Sequence, residues 1–129
     1  MTDLVLDSGA LSMFAEGDPR ILAVLEAAQR DDGIAYVPTV CLVESLTGQA
    51  RDANLNRRLK GTRTVSLDET GAREAAARRA AVDLDDVADP VVVATAARVA
   101  AVVVTTDPED ISALANAGNP RVAIIDPRM

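Results

Sequence analysis

The sequence predicts an α/β fold in which a central, mainly parallel five-stranded sheet is flanked by helices on both faces. Short runs rich in β-branched residues alternate with longer amphipathic stretches, which is the element order of a parallel sheet. Apolar runs such as 101–104 (AVVV) are typical of strands buried on both faces. The length of 129 residues is that of one domain, so we expect a single domain over residues 1–129.

The predicted strands are short and mostly apolar. They cover Asp3–Leu6, Ile34–Val37, Thr64–Leu67, Val102–Thr105 and Val122–Ile125. In sheets of this kind, ligands bind beyond the carboxyl ends of the strands, where the strand order reverses. Residues that directly follow a strand are therefore the first candidates for a functional site.

The predicted helices are recognised by their caps and by apolar spacing. Asp18, Asp68 and Asp89 each stand before a helix, where the carboxylate can accept hydrogen bonds from the first turn. Proline occupies the first helical position after two of these residues, where its missing N–H costs nothing. The helices are predicted over Pro19–Gln29, Thr39–Arg51, Ala53–Lys60, 69–81 and 90–100.

The composition excludes several classes of function. The chain has no histidine, which removes Ser-His-Asp catalysis and His-ligated zinc. The single cysteine, Cys41, excludes an internal disulfide and a cysteine-rich metal site. No apolar run approaches the ~20 residues of a membrane span, and the N-terminus lacks a signal-peptide pattern. We therefore expect a cytoplasmic protein.

Two aspartates follow predicted strands. Asp7 comes directly after the first strand and Asp107 follows the fourth, so both belong to the edge of the sheet where ligands bind. Each also fits the simpler role of a helix cap, and Pro108 after Asp107 fits a first helical position. The two roles are compatible, because one carboxylate oxygen can cap while the other binds a cation.

Glu44 stands in a predicted helix that is otherwise mostly apolar. A carboxylate on such a face is predicted to be poorly solvated, and a buried charge must be neutralised, paired or bound to a metal. The alternative is a glutamate that reaches solvent at the helix edge.

Asp89 begins an apolar helix and belongs to a segment crowded with acids. Asp83, Asp85 and Asp86 precede it closely, and a nearby cation would relieve their mutual repulsion. For these three neighbours, a solvated acidic loop is the favoured interpretation.

Together, Asp7, Glu44, Asp89 and Asp107 predict a site for a divalent cation. Oxygen ligands without histidine or cysteine suit Mg²⁺ or Mn²⁺. Such an ion can acidify a water and neutralise charge on a phosphodiester during in-line attack. One of the carboxylates could then orient or deprotonate the attacking water.

The order of these acids resembles that of PIN-domain ribonucleases, and among them the VapC toxins of bacterial toxin–antitoxin pairs. The resemblance extends from Leu4 to Ile125 and is carried by LVLDSGAL, PTVCLVESL, ADPVVVATAARV and TTDPEDISAL. In this family Ala usually follows the third acid, whereas Pro90 stands there in this chain.

The resemblance implies a metal-dependent endoribonuclease with Asp7, Glu44, Asp89 and Asp107 as its acidic quartet. It also implies that Asp110 is a further acid at the metal and that the hydroxyls of Ser8 and Thr105 support the quartet. Family members typically dimerise and are inhibited by a cognate antitoxin protein, so we expect a homodimer and an antitoxin partner.

One basic segment contrasts with an acidic chain whose net charge is −7. Its five basic residues could follow the phosphates of RNA, contact an acidic partner or form a solvated helix face. They are Arg51, Arg57, Arg58, Lys60 and Arg63.

Other small α/β proteins fit less well. A receiver domain needs a lysine after its last strand, but the only lysine, Lys60, precedes the third. A haloacid-type phosphatase needs an aspartate where Gly9 stands, and no glycine-rich phosphate loop occurs. A PIN-like module that binds RNA or protein without turnover stays open as the alternative to an active enzyme.

Overall fold

The computed structural model describes residues 1–129 and contains one five-stranded sheet in which every pair of neighbouring strands is parallel. The strand order is β3-β2-β1-β4-β5. The strands are β1 (Leu4–Leu6), β2 (Ala35–Pro38), β3 (Arg63–Val65), β4 (Val102–Val104) and β5 (Ile124–Ile125). The predicted fold class is confirmed.

Helices connect the strands and cover both faces of the sheet. They are α1 (Ser8–Glu16), α2 (Pro19–Arg30), α3 (Thr39–Ser45), α4 (Ala53–Leu59), α5 (Glu69–Val82), α6 (Ala88–Val99) and α7 (Pro108–Asn116). Helices α1 and α7 fill stretches for which the sequence predicted only a capping aspartate. No helix of the chain has both the length and the apolar character needed to cross a membrane.

The core is aliphatic, in keeping with a chain in which aromatic residues make up only 2%. The central strands β1 and β4 contribute Val5, Leu6, Val103 and Val104, all without solvent exposure, and Val92 of α6 packs against the sheet with them. Burying one such side chain contributes about 1.5–3 kcal/mol. This packing holds the carboxyl ends of β1 and β4 at fixed positions.

Strands β2 and β3 lie on one side of β1, whereas β4 and β5 lie on its other side. The strand order therefore reverses between β1 and β4. Leu6 is in register with Val104, which brings Asp7 and Thr105 out of the sheet at the same level. This reversal is where ligand sites form in parallel sheets.

Helix α3 is shorter than predicted and ends at Ser45 instead of Arg51. The carboxylate of Asp52 accepts hydrogen bonds from the backbone N–H groups of Thr47 and Gly48 and from the Thr47 hydroxyl. Gly48 also adopts a positive φ of 74°, which continues a loop better than a helix. The other predicted boundaries lie within two residues of those observed.

Arg78 of α5 anchors the C-terminal end of α7. Its side chain is 6% exposed, and its guanidinium donates to the carbonyl oxygens of Leu114 and Pro120 at 2.9 and 3.0 Å. Carbonyls at a helix end need such partners, because the helix itself provides none. This contact holds α7, whose first turn reaches the acidic site described below.

Replacing Arg78 with Met is expected to lower the free energy of unfolding by about 2 kcal/mol, because buried carbonyls lose charged donors. Arg73→Met on the same helix is the matched control, since Arg73 is exposed and pairs only with Glu69. It should change stability by less than about 0.5 kcal/mol. Chemical denaturation of both variants measures the difference, and equal effects would contradict the anchoring role.

Candidate metal centre

Three carboxylates meet at the carboxyl edge of the sheet. Asp89 lies in the first turn of α6, Asp107 stands before α7 and Asp110 lies in the first turn of α7. One oxygen from each lies within 4.8 Å of the others. Oxygens that share one Mg²⁺ are about 3–4 Å apart, so small side-chain movements would complete a shared site.

Asp7 combines a structural and an electrostatic role beside this cluster. Its side chain is 3% exposed and accepts a hydrogen bond from the N–H of Ala10 at 2.8 Å, which caps α1. Burial raises the pKa of Asp7, and the charge of Asp107 acts in the same direction, whereas hydrogen bonds from Thr105 and Ala10 oppose the rise. Asp7 therefore caps α1 as predicted and also lies close enough to Asp107 for the charge of that residue to affect its pKa.

Thr105 connects the two aspartates that follow the strands. Its buried hydroxyl accepts a hydrogen bond from the backbone N–H of Asp107 at 2.8 Å and interacts with the carboxylate of Asp7. The side chain of Asp107 makes no capping hydrogen bond to α7, so the capping alternative fails for this residue. Its carboxylate is free to bind a ligand.

The prediction that Glu44 is poorly solvated is wrong. Glu44 is exposed, and Val43 beside it is 81% exposed. Because α3 is only seven residues long and fully buries only Cys41, it does not enclose Glu44 as a longer helix would. The carboxylate is nevertheless held at the site, since the hydroxyl of Ser8 donates to its Oε1 at 2.5 Å.

Cys41 lies beneath the acids. Burial raises the pKa of its thiol to about 12, and the charges of Asp7, Glu44 and Asp89 add to the rise. Asp7, Glu44 and Asp89 belong to different parts of the chain, yet the charges of all three act on this one thiol. Glu44 therefore lies in the same region as the two aspartates. The thiol stays protonated near neutral pH, so the available donors are oxygens, which hard cations prefer.

The prediction that Asp89 is the N-cap of its helix is wrong: Asp89 lies in the first turn of α6, and Val87 occupies the N-cap position. The side chain of Asp86, one residue earlier, bonds the start of the helix instead. Its carboxylate accepts hydrogen bonds from the N–H groups of Ala88 and Asp89 at 3.1 and 3.3 Å. Asp86 is exposed and lies in the loop before α6, as do Asp83 and Asp85, so the interpretation of these three residues as a solvated acidic loop is confirmed. Asp86 lies one residue before the N-cap position, so the preference for aspartate at an N-cap did not point to it, whereas Asp89 with Pro90 fitted that pattern.

The acids also shift one another's protonation. Burial raises the pKa of Asp89 to about 8, and a hydrogen bond with Asp86 and the charges of Asp86, Asp7 and Asp107 contribute. The charge of Asp107 is the main cause of a raised pKa at Asp110. Carboxylates that disfavour one another's ionisation form a site that a cation would stabilise.

The basic segment does not gather in one place. Arg51 borders a surface depression that also includes Ser45, next to Glu44. Lys60 and Arg63 instead lie near the amino ends of β2 and β3, at the opposite edge of the sheet from the acids.

The two middle arginines differ in exposure. Arg57 is exposed on α4, whereas Arg58 is partly buried, with its guanidinium 5.8 Å from the ring centroid of Phe14. The buried Nε of Arg58 has no hydrogen-bond partner. Arg51 and Arg57 are thus exposed and free of such aromatic packing, and Arg51 borders the depression that includes Ser45.

Comparison with known proteins agrees with this architecture. The family model described as "PIN domain" matches residues 4–117. No curated protein matches the chain.

Several solved structures share the fold. The chain superposes on a chain of the VapBC2 complex of Rickettsia felis bound to a DNA fragment from its promoter, with a TM-score of 0.79, 11% identity and coverage of 96% and 98% of the two chains. For a toxin–antitoxin complex of Klebsiella pneumoniae the TM-score is 0.72, with 19% identity and coverage of 97% and 98%. For FitAcB of Neisseria gonorrhoeae it is 0.69, with 22% identity and the same coverage.

Proposed function

The chain belongs to the PIN-domain family, and from this premise we propose that it is a metal-dependent endoribonuclease, the toxin of a type II toxin–antitoxin pair. The observation that carries the proposal is the convergence of Asp89, Asp107 and Asp110, whose oxygens lie within 4.8 Å of one another. Asp7 and Glu44 adjoin them through Thr105 and Ser8. Oxygen donors of this kind, without histidine or thiolate, fit Mg²⁺ or Mn²⁺.

The ligands for this ion would come from Asp7, Glu44, Asp89, Asp107 and Asp110. When bound, a divalent cation stabilises developing charge on the phosphodiester oxygens and makes a nearby water more acidic. Glu44, which is exposed and held by Ser8, is suited to orient the attacking water or accept its proton. Thr105 keeps the backbone of Asp107 and the carboxylate of Asp7 together, so these two ligands need little reorganisation.

Cleavage of RNA by the purified protein tests the proposed activity. We expect cleavage in Mg²⁺ or Mn²⁺ that stops in excess chelator and returns when the metal is restored. RNA binding without cleavage in either metal would instead support the PIN-like module that lacks turnover. Cleavage that persists in chelator would contradict a metal-dependent mechanism.

Metal binding should also be visible without RNA. With a Kd near 1 mM, 10 mM Mg²⁺ would stabilise the folded state by about 1.4 kcal/mol, which raises Tm by several degrees. Calorimetry with sodium chloride of matched ionic strength is the control for general screening. An Asp107→Asn/Asp110→Asn variant should lose the shift, and an equal shift in that variant would contradict binding at this site.

We further propose that the partner in the cytoplasm is a cognate antitoxin and that the protein forms a homodimer. The structural neighbours from Rickettsia felis and Klebsiella pneumoniae are toxin–antitoxin complexes, which supports an antitoxin for this chain. Expression of the chain alone should arrest bacterial growth, and co-expression with a short frame from the adjacent gene should restore it. Growth that is unaffected by active protein would contradict the toxin role.

For RNA, the proposed contact is the basic segment containing Arg51, Arg57, Arg58, Lys60 and Arg63, of which Arg51 borders the same depression as Ser45, the residue after Glu44. Arg58 and Arg63 lie over the aromatic rings of Phe14 and Tyr36, so replacing them would also disturb packing. Arg51 and Arg57 are exposed and are the cleaner targets.

An Arg51→Gln/Arg57→Gln variant is expected to bind single-stranded RNA more weakly and with a smaller salt dependence. Each lost phosphate contact should reduce the slope of log K against log salt by about 0.7. Arg73→Gln/Arg121→Gln, which removes the same charge from exposed positions outside the basic segment, is the control. If both variants change the slope equally, the basic segment has no specific contact with phosphates.

A further inference from the structure

Thr106, between Thr105 and Asp107, is in close contact with Gly9 of α1. A methyl group added at Gly9 would overlap the Thr106 hydroxyl and lie 3.3 Å from Thr106 Cβ. It would also lie 3.6 Å from Oδ1 of Asp7. A side chain at position 9 therefore requires the Thr106 hydroxyl to turn away and the Thr106 Cβ to shift by a few tenths of an ångström.

The same residue is held from its other side by the C-terminal segment. Arg128 donates through Nη2 to the carbonyl oxygen of Thr106 at 2.7 Å. Asp126 holds this guanidinium through two further hydrogen bonds of 3.0 and 2.8 Å. Asp126 directly follows β5, so the contact connects the edge strand of the sheet to the residue before Asp107.

From these two contacts we infer that Gly9 and Arg128 are positioning residues, which fix Thr106 and thereby set the distance between Asp107 and Asp7. Mg²⁺ and Mn²⁺ sites need this control, because near-octahedral coordination tolerates little displacement of a ligand. A misplacement of about 1 Å at a reacting centre can cost about a hundredfold in rate. The inference rests on the metal site of the proposed function.

Binding of Mn²⁺ alone, followed by electron paramagnetic resonance of the free ion, tests the role of Gly9. Gly9→Ala should weaken Mn²⁺ binding by about tenfold, equivalent to about 1.4 kcal/mol. Gly61→Ala is the matched control, since a Cβ there meets nothing nearer than the Arg58 carbonyl oxygen at 3.8 Å. It should bind Mn²⁺ like the unaltered protein.

The overlap predicts a specific rescue. Thr106→Ala removes the hydroxyl and leaves the backbone carbonyl for Arg128, so Gly9→Ala/Thr106→Ala should bind Mn²⁺ almost as tightly as Thr106→Ala alone. Such coupling between neighbouring residues is measured by the double-mutant cycle. Affinity as low in the double variant as in Gly9→Ala would overturn the inference for Gly9, and so would unaltered binding by Gly9→Ala.

Arg128 provides a second test in case Gly9→Ala does not fold. Its side chain is 45% exposed, so Arg128→Gln should leave the fold intact. By charge alone, removing a cation near Asp107 should strengthen Mn²⁺ binding, because the guanidinium repels the ion. A positioning role predicts the opposite sign, a loss of about threefold or more, with part of the affinity retained in Arg128→Lys.

Tighter or unchanged binding by Arg128→Gln would overturn its positioning role. Mn²⁺ binding by the unaltered protein distinguishes failure of the proposed function from failure of the positioning roles. If it does not bind Mn²⁺, the proposed function fails, whereas binding that is insensitive to Gly9→Ala and Arg128→Gln removes only the further inference.

Discussion

Replacing Asp7 with Asn is expected to reduce Mg²⁺-dependent RNA cleavage by about a thousandfold while leaving the fold intact. Loss of a metal-binding carboxylate removes several kcal/mol of transition-state stabilisation, and about 1.4 kcal/mol corresponds to each factor of ten. The substitution is conservative for the structure, because an amide oxygen can still accept the hydrogen bond from Ala10 that caps α1.

The thermal stability of Asp7→Asn should show whether its loss of cleavage comes from the metal site or from unfolding. Since burial raises the pKa of Asp7, its ionised form is disfavoured in the folded protein when no cation is bound. The folded state then holds more protons than the unfolded state, and ionisation of Asp7 lowers stability as pH rises above its ordinary value of 3.8. In chelator near pH 7.5, Asp7→Asn should therefore be at least as stable as the unaltered protein.

Cleavage of a fluorescent RNA and thermal melting in chelator measure the two quantities on the same samples. Asp18→Asn is the matched control, because Asp18 also caps a helix, α2, but lies outside the acidic site. It should retain cleavage within about twofold. If Asp7→Asn cleaved RNA as well as Asp18→Asn does, Asp7 would have no part in the reaction.

The convergence of Asp7 and Asp107 could be predicted because the carboxyl ends of parallel strands meet at one edge. Their closeness then follows from the register of Leu6 with Val104. Asp110 lies three residues beyond Asp107, and one turn of α7 brings it back to the same side. These positions follow from the periodicity of a helix and from the rule that parallel strands end at one edge of the sheet. The sequence is enough to apply both.

The solvation of Glu44 could not be predicted in the same way, because it depends on where α3 ends. Asp52, eight residues further along the chain, decides that by binding the loop at Thr47 and Gly48. The contact of Arg128 with Thr106 joins residues 22 positions apart in sequence. Such contacts are set by tertiary packing and leave no periodic signal in the sequence.

Metal binding is expected to become tighter by up to about tenfold for each unit of pH between 6 and 8. In the metal-free protein the pKa of Asp89 is raised to about 8, mainly by burial, and a hydrogen bond with Asp86 contributes. A carboxylate must lose its proton to bind a cation, so binding releases about one proton below this pKa. Titrations with Mn²⁺ at pH 6, 7 and 8 measure the slope directly.

The metal-free protein should show the opposite trend in stability. Because the folded pKa of Asp89 lies above the ordinary value of 3.8, the folded state holds the extra proton between that value and about 8. The contribution of Asp89 therefore favours folding at low pH and is lost as pH rises through this range. Asp89→Asn should remove the corresponding part of the decline in Tm between pH 5 and 8, measured in chelator.

Asp86 permits a test in which two electrostatic effects oppose one another. Asp86→Asn keeps an oxygen for the N–H of Ala88 but removes a charge that raises the pKa of Asp89. The same charge attracts a divalent ion, so the variant should bind Mn²⁺ more weakly at pH 8. At pH 6 the loss should be smaller, because Asp89 gives up its proton more readily in the variant, and the pH slope should therefore be shallower. An equal loss at both pH values would mean that Asp86 does not control the ionisation of Asp89, whereas a flat slope in the unaltered protein would mean that Asp89 is already ionised before the metal arrives.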